Sequence, residues 1–459
     1  MRFLVLSALL FGVALAAESP SNDLQITATR TLDVTSQIVK TTVEYEVKNG
    51  GKSPTSSLLH GLSAKDHEKL AWIGANWEKR DGKKLTITKV DVAAAPKDRV
   101  FYKVDFPTPL AAGETAKLVV RAELTQALRP FPAEISQADS QFMLFNGNAY
   151  LDSPYTIEKQ STSVKVGSVK VVDFTPVDPS KHQGDSIKYG PYNKIAPGSE
   201  KPITVHYENN APFVVITSLH RWIEVSHWGN IAVEDTVEIV HRGARLRGEF
   251  SRLDFQMDRR GNNAPVVRQL KTQIPASARD IYYRDQIGNI STSVVIKRAN
   301  RVDVELRPRF PLRTTCSATT CPSVGFLHSS GSDYGLKIPF IDRIYDNAVI
   351  EKATVKIVLP EASSGFKLVS PFSVDRKADE VHKTYFDTTG RSVIVLEKEN
   401  LVNGHAQPIT LYYQFDRIML LREPLLAVAA FFILFFVVIV FVRLDFSITE
   451  KPEQHLKKE

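Results

Sequence analysis

Leu425 to Val442, LLAVAAFFILFFVVIVFV, is an uninterrupted apolar run with Arg422, Glu423 and Pro424 before it and Arg443 after it. As an α-helix this run reaches about 27 Å, close to the thickness of a bilayer hydrocarbon core. A chain with one such segment is expected to cross a membrane once and to keep nearly everything else on one side. Phe431, Phe432, Phe435, Phe436 and Phe441 interleave with the small residues Ala427, Ala429 and Ala430. That shaped surface suits contact with a neighbouring helix as well as tethering.

The N-terminus predicts which side. Met1-Arg2 is a short basic region, Phe3 to Val13 is apolar but too short to span, and Ala14-Leu15-Ala16 has the small-x-small form of a cleavage site. Residues 1–16 therefore read as a secretory signal peptide, and the residues up to the anchor are expected in the secretory lumen. The flanking charges add little to this orientation, because the tail carries as many acidic as basic residues.

About 400 residues between the two ends are enough for two domains or more, each with its own core. Alternation dominates their pattern. Thr41 to Val47 alternates and ends at the turn Asn49-Gly50-Gly51, and Val164 to Val166, Ile203 to Tyr207, Val233 to Val240, Val302 to Leu306, Val355 to Leu359 and Ile409 to Tyr413 are similar. Helical periodicity is scarce; Ala64 to Lys79 is the best helix candidate before the anchor.

The chain also repeats itself weakly. Arg30-Thr-Leu-Asp-Val-Thr35 matches Arg221-Trp-Ile-Glu-Val-Ser226, with Thr42 to Tyr45 and Thr236 to Ile239 following. Ser163-Val-Lys-Val166 matches Thr354-Val-Lys-Ile357, and Pro202-Ile-Thr-Val-His-Tyr207 matches Pro408-Ile-Thr-Leu-Tyr-Tyr413. The expected architecture is mainly β: two tandem β-sandwich-like lumenal domains, 17–210 and 211–416, then a transmembrane α-helix at 424–442 and a cytosolic tail at 443–459. Asn209-Asn210-Ala211-Pro212 is the expected junction between the domains.

The formal net charge of +7 is concentrated. His241 to Arg313 holds 14 Arg and 2 Lys against 7 acidic residues. Arginine grips phosphates and carboxylates, so lipid headgroups, a lipid phosphate or an acidic partner fit this segment; the plainer and favoured reading is a solvated face with scattered ion pairs. Nucleic acid is excluded by compartment.

The two cysteines, Cys316 and Cys321, lie in TTCSATTC. An oxidising lumen favours a local disulfide over two free thiols or a metal pair, since no Cys or His pair stands nearby to complete a zinc site. Asn289-Ile290-Ser291 is the sole N-x-S/T sequon and reads as an exposed glycan acceptor in a turn. No nucleophile elbow, zinc-protease helix, phosphate loop or dinucleotide fingerprint occurs, so no catalytic, cofactor-binding or metal residues are assigned. His227 and His241 read as structural or surface residues. Trp222 and Trp228 read as core or domain-contact residues, with an aromatic ligand platform as the alternative.

Longer stretches carry a family resemblance. YYRDQIGNISTS (282–293), EVSHWGNIAVED (224–235), GEFSRLDFQ (248–256), ALRPFPAEISQAD (127–139), HYENNAPF (206–213), RPRFPL (307–312) and the anchor with its edge, EPLLAVAAFFILFFVVIVFVRLDFSIT, resemble the ribophorin I family. The matches are collinear from about residue 30 to residue 449. The resemblance implies a large non-catalytic subunit of the endoplasmic-reticulum oligosaccharyltransferase, which moves a preassembled glycan from dolichyl diphosphate to sequon asparagines. It places catalysis, metal and lipid-glycan site on another subunit, so no cofactor is expected here. Its partners would be the catalytic and small membrane subunits, nascent polypeptides and the membrane. The chain looks like the short-tailed form, which puts a ribosome contact in doubt. After Leu312 it departs from the family in its cysteine loop. From topology alone, a β-sandwich adhesion protein or receptor, or an anchored lumenal hydrolase, would also fit. An adhesion protein would usually show more sequons, more cysteines and a polar stalk, whereas only Asp416 to Pro424 separates the last strand from the anchor.

Overall fold

The computed structural model describes residues 23–78, 82–92, 98–257, 265–285, 287–290, 294–307, 316–318, 326–343, 345–385 and 387–444. Residues 1–16, expected to be a signal peptide, residues 445–459 and Cys321 lie outside them. The described residues are mostly strand, as the alternation predicts, and end in one long helix.

Fourteen strands define the architecture. In the first half they are β1 (Leu24–Asp33), β2 (Val39–Asn49), β3 (Phe142–Asn148), β4 (Ile157–Lys165), β5 (Val171–Phe174), β6 (Ser186–Ile195) and β7 (Pro202–Glu208). In the second they are β8 (Val214–Ser226), β9 (Asn230–His241), β10 (Asp333–Pro339), β11 (Val349–Val358), β12 (Ser364–Val369), β13 (Arg391–Leu401) and β14 (Pro408–Gln414). One sheet of the first half runs β6-β4-β1-β2, and one sheet of the second runs β13-β11-β8-β9. The other sheets contain β5-β7-β3 and β12-β14-β10 in the same order. The β1–β4 and β8–β11 pairings are parallel, while the hairpins β1–β2 and β8–β9 are antiparallel. Every pair of matched sequence segments thus falls on topologically equivalent strands, which makes the repeat a structural duplication. The insertions match as well. Thr115–Leu124 extends the first sheet beside β2, and Cys316–Ala318 occupies the same place beside β9.

Each half encloses its own core between its sheets. Leu24, Ile26, Ala28 and Leu32 face inward from β1 and meet Met143, Phe145, Val205 and Tyr207 from the opposing sheet. In the second half Leu219, Ile223 and Val225 meet Leu336, Ile338, Leu411 and Tyr413. Strand alternation is the cause: successive side chains point to opposite faces, so one sheet face can be apolar while the other is wet.

The helix expected over Ala64–Lys79 is not formed. A single turn spans Ala64–Glu68, started by Ser63, whose Oγ accepts from the Asp66 amide at 3.1 Å, and Leu70–Trp77 is a strand paired with Thr115–Leu124. The sheet edge offered by that strand outweighs local helix preference, which is a weak force beside tertiary pairing.

β14 leads through Asp416, which caps the 3₁₀ turn Arg417–Leu421 by accepting from the Ile418 amide at 3.1 Å. The terminal helix Arg422–Arg443 follows. Its 22 residues include none that is buried, and its most apolar stretch of 18 residues has a mean hydropathy of 3.4. This helix is long and apolar enough to cross a membrane.

Candidate functional site: the anchor junction and the seam between the halves

The terminal helix is joined to the β body by side chains as well as by the chain. Arg391, at the start of β13, bonds through Nη1 to Glu224 Oε1 at 2.9 Å, through Nε to Asp387 Oδ1 at 3.2 Å and through Nη2 to Glu423 Oε1 at 2.9 Å. Glu423 is in the first turn of the helix. Its neighbour Arg422 reaches Glu361 at 3.6 Å. The other oxygen of Glu361 accepts from the amides and hydroxyls of Thr388 and Thr389 and from the Gly390 amide. Partial burial pushes the Glu361 carboxyl up, but those donors outweigh it and hold the pKa down at about 2. The helix start is therefore bound to an anionic turn whose charge persists at any physiological pH.

An aromatic cluster backs this ionic join. His227 stacks on Phe415 with centroids 4.3 Å apart and meets the edge of Tyr334 at 4.2 Å; its Nε2 shares a 3.1 Å hydrogen bond with Tyr413 Oη. Burial, with Arg417 nearby, lowers the His227 pKa to about 4, so the ring is neutral at neutral pH. Arg417 donates from Nε to Tyr334 Oη at 3.1 Å. His227 is thus structural, as expected. Trp228 is not a core residue: it is 65% exposed at the tip of the β8–β9 turn, whereas Trp222 packs against Val358, Val393 and Val395. A cavity of about 80 Å³ between Trp228, Met419, Arg391 and Glu423 brings body and helix together.

A seam joins the two halves. Ile38, Val215, Val349 and Val402 form a small apolar cluster with Trp72 packed on it. A Cβ at Gly404 would come within 3.0 Å of the Trp72 ring, which explains glycine there. Gln37 donates from Nε2 to the Val214 and Asn347 carbonyls, Thr125 Oγ1 donates to Asn400 Oδ1 at 2.7 Å, and Gln141 Oε1 accepts from the Ala244 amide at 2.9 Å. Glu134–Ile135 even pairs as a strand with Arg245–Leu246. Near this seam a cleft of about 770 Å³ is lined by Arg129, Phe131, Arg242 and Arg245, among others.

Each half also buries an arginine. Arg221 forms a two-pronged pair with Asp235 at 2.7 and 2.6 Å and reaches Asp342 at 2.5 Å. Burial alone would lower its pKa; the two carboxylates reverse this and raise it. Arg30 donates instead to the carbonyls of Asn148 and Tyr150, near the buried Tyr45–His60 hydrogen bond of 2.7 Å. Burial, opposed by Asp152, lowers its pKa.

The residues singled out from sequence are scattered over this body. Asn289 is exposed just after the turn in which Asp285 Oδ1 accepts from the Ile287 and Gly288 amides, far along the chain from the seam and the junction. The backbone of Cys316 pairs with Ile239. Much of the arginine-rich segment is engaged in surface ion pairs, Arg242–Glu351, Arg284–Glu234 and Arg301–Asp303 among them. Among the described residues no cluster of His, Cys, Asp and Glu could hold a metal ion. Sequence reading missed the junction, since Glu224, Glu361, Arg391 and Glu423 are far apart in the chain and share no local pattern.

A duplicated β body joined to one apolar helix long enough to cross a membrane defines a protein of the single-span type. The Ribophorin I family model matches residues 25–442. A Caenorhabditis elegans protein named dolichyl-diphosphooligosaccharide–protein glycosyltransferase subunit 1 is 45% identical over 97% of this chain and 76% of its own length. Subunits 1A and 1B of Arabidopsis thaliana are 38% and 37% identical, over 98% and 96% of this chain and 75% and 97% of theirs. The chain belongs to the Ribophorin I family. A putative protease of Parabacteroides distasonis, 11% identical, aligns over 44% of this chain and 40% of its own at a TM-score of 0.26, too low to carry an argument.

Proposed function

We propose that this protein is an accessory subunit of the oligosaccharyltransferase complex, the assembly that transfers a preassembled oligosaccharide from dolichyl diphosphate to sequon asparagines. One observation carries the reading: the similarity to proteins named as subunit 1 of that transferase runs through the β body and into the terminal helix. In this reading the chain has no catalytic site of its own and resides in the endoplasmic-reticulum membrane. The signal peptide is removed, residues 17–210 and 211–416 form two lumenal β units, and the tail from 443 faces the cytosol. Asn289 carries a glycan and Cys316 is bridged to Cys321. The partners are the catalytic and small membrane subunits, and nascent polypeptides pass near the lumenal surface. The ion-paired junction supports a scaffold role, because it transmits the position of the helix to the body. The test is co-purification of the tagged full chain in mild detergent, with assay of the chain alone on lipid-linked oligosaccharide and a sequon peptide. Transferase subunits are expected in the first experiment and no transfer in the second; robust transfer by the chain alone would overturn the reading.

A further inference from the structure

We infer that the end of the second half nearest the terminal helix is a lipid-contact face, seated in the headgroup region of the bilayer through Trp228, Tyr385 and the apolar side of the 3₁₀ turn. Three separate segments surround the first turn of the helix. The β8–β9 turn carries Trp228, 65% exposed, which lines one cavity with Met419 and Arg422. The loop before β13 carries Tyr385, fully exposed. That loop is tied to the helix twice, by Asp387 through Arg391 to Glu423 and by Thr388 to Gly390 through Glu361 to Arg422. The 3₁₀ turn presents Ile418, 70% exposed, and Leu421, 54% exposed.

In water this is a costly arrangement, with a large indole and two branched aliphatics left bare on the segments around the helix start. At a membrane surface it is favourable. Trp and Tyr rings concentrate at headgroup level, where one part of the ring is in apolar surroundings and the rest is wet. Arg417 and Lys383, both exposed, have the length to reach phosphates from the same level. Lipid is the occupant because the face is continuous with the apolar helix: Leu421 is adjacent to Arg422, so any bilayer that takes the helix reaches these side chains. The ion pairs at the helix start prevent the body from swinging clear. This face does not depend on the function proposed above and requires no other subunit.

The test uses the full chain in lipid nanodiscs. Trp228→Phe alters an exposed side chain, so folding is preserved, and subtracting its emission from the wild type isolates Trp228 from Trp72, Trp77 and Trp222. Phospholipid brominated near the headgroup end of its acyl chains should quench most of the Trp228 emission, while aqueous iodide should have little effect. A second reporter, Tyr385→Trp in the Trp228→Phe background, should behave in the same way. Emission that iodide quenches and bromolipid does not, from either reporter, would overturn the inference. So would reporters insensitive to both quenchers, which would mean that protein, not lipid, covers this face.

Discussion

Arg30 and Arg221 make the same bond in the two halves: each donates from Nη1 to the carbonyl oxygen of the residue 118 places further on, Asn148 at 2.9 Å and Pro339 at 3.0 Å. In each case the acceptor ends the equivalent strand, β3 or β10. The duplication has therefore kept a buried guanidinium that staples one sheet to the other. The compensation has diverged: two carboxylates bond Arg221 directly, whereas Arg30 bonds neutral carbonyls and Asp152 acts on it only through space.

This difference predicts unequal costs. Arg221→Ala strands Asp235 and Asp342 without their cation, and removing one partner of a buried pair costs about 3–5 kcal/mol. Arg30→Ala leaves unsatisfied carbonyls, about 1–3 kcal/mol. Chemical denaturation of the two variants should give that ranking, and the reverse order would contradict the divergence in compensation.

Acid should loosen the fold as the pH falls below the ordinary histidine range. Burial lowers the pKa of His60 to about 3 and that of His405 to about 4. Both are neutral in the folded protein and protonate near 6.5 once unfolded. The unfolded state then binds more protons below pH 6.5, so stability falls as pH drops from 6.5 toward 4 and is fully present above it. Each histidine contributes a slope of about 1.4 kcal/mol per pH unit. His405→Gln should flatten the measured slope; an unchanged slope would show that this ring is not buried neutral.

The join should fray when Arg391 is lost. Of its three contacts only that to Glu423 crosses to the helix, and at about 0.5 kcal/mol its loss amounts to roughly a twofold change in local opening. Arg391→Gln should speed tryptic cleavage at Arg417 and Arg422 by about that factor while leaving cleavage of the β body unchanged. Equal rates in wild type and variant would mean that the ion pairs do not hold the helix.

Asn289→Gln should remove one glycan's worth of gel mobility and all glycosidase sensitivity. Because the side chain is exposed, thermal stability should change by less than about 0.5 kcal/mol. An unmodified Asn289 in protein from native membranes would refute the acceptor assignment.

An all-Leu helix in place of Leu425 to Val442 should insert normally, since hydrophobicity suffices for a span. It should also recover fewer transferase subunits on purification, because the Phe and Ala surface is lost. Full recovery would assign assembly to the β body alone.

The strands and the repeat were legible because both rest on local pattern: alternation marks Thr41 to Val47, and the shared segments fall on equivalent strands. The short helix at Ala64 was overread because Leu70 to Trp77 has apolar residues at spacings compatible with either state, and only its partner strand decides. Trp228 was misplaced for a related reason. A tryptophan in a turn has the same composition inside or outside, and its exposure depends on where β14 and the helix emerge. The Arg391 cluster leaves no trace in sequence, since ion pairs between residues 32 and 167 positions apart have no periodicity.

Because Glu423 is held by the body, the helix has a defined angular phase. One extra residue inserted between Phe415 and Arg422 would turn the helix relative to the body by about 100° and shift it by about 1.5 Å. Such an insertion alters no surface and no hydrophobicity. It would nevertheless aim the Phe side of the span at a different neighbour, so the β body works as a compass housing for its own membrane helix.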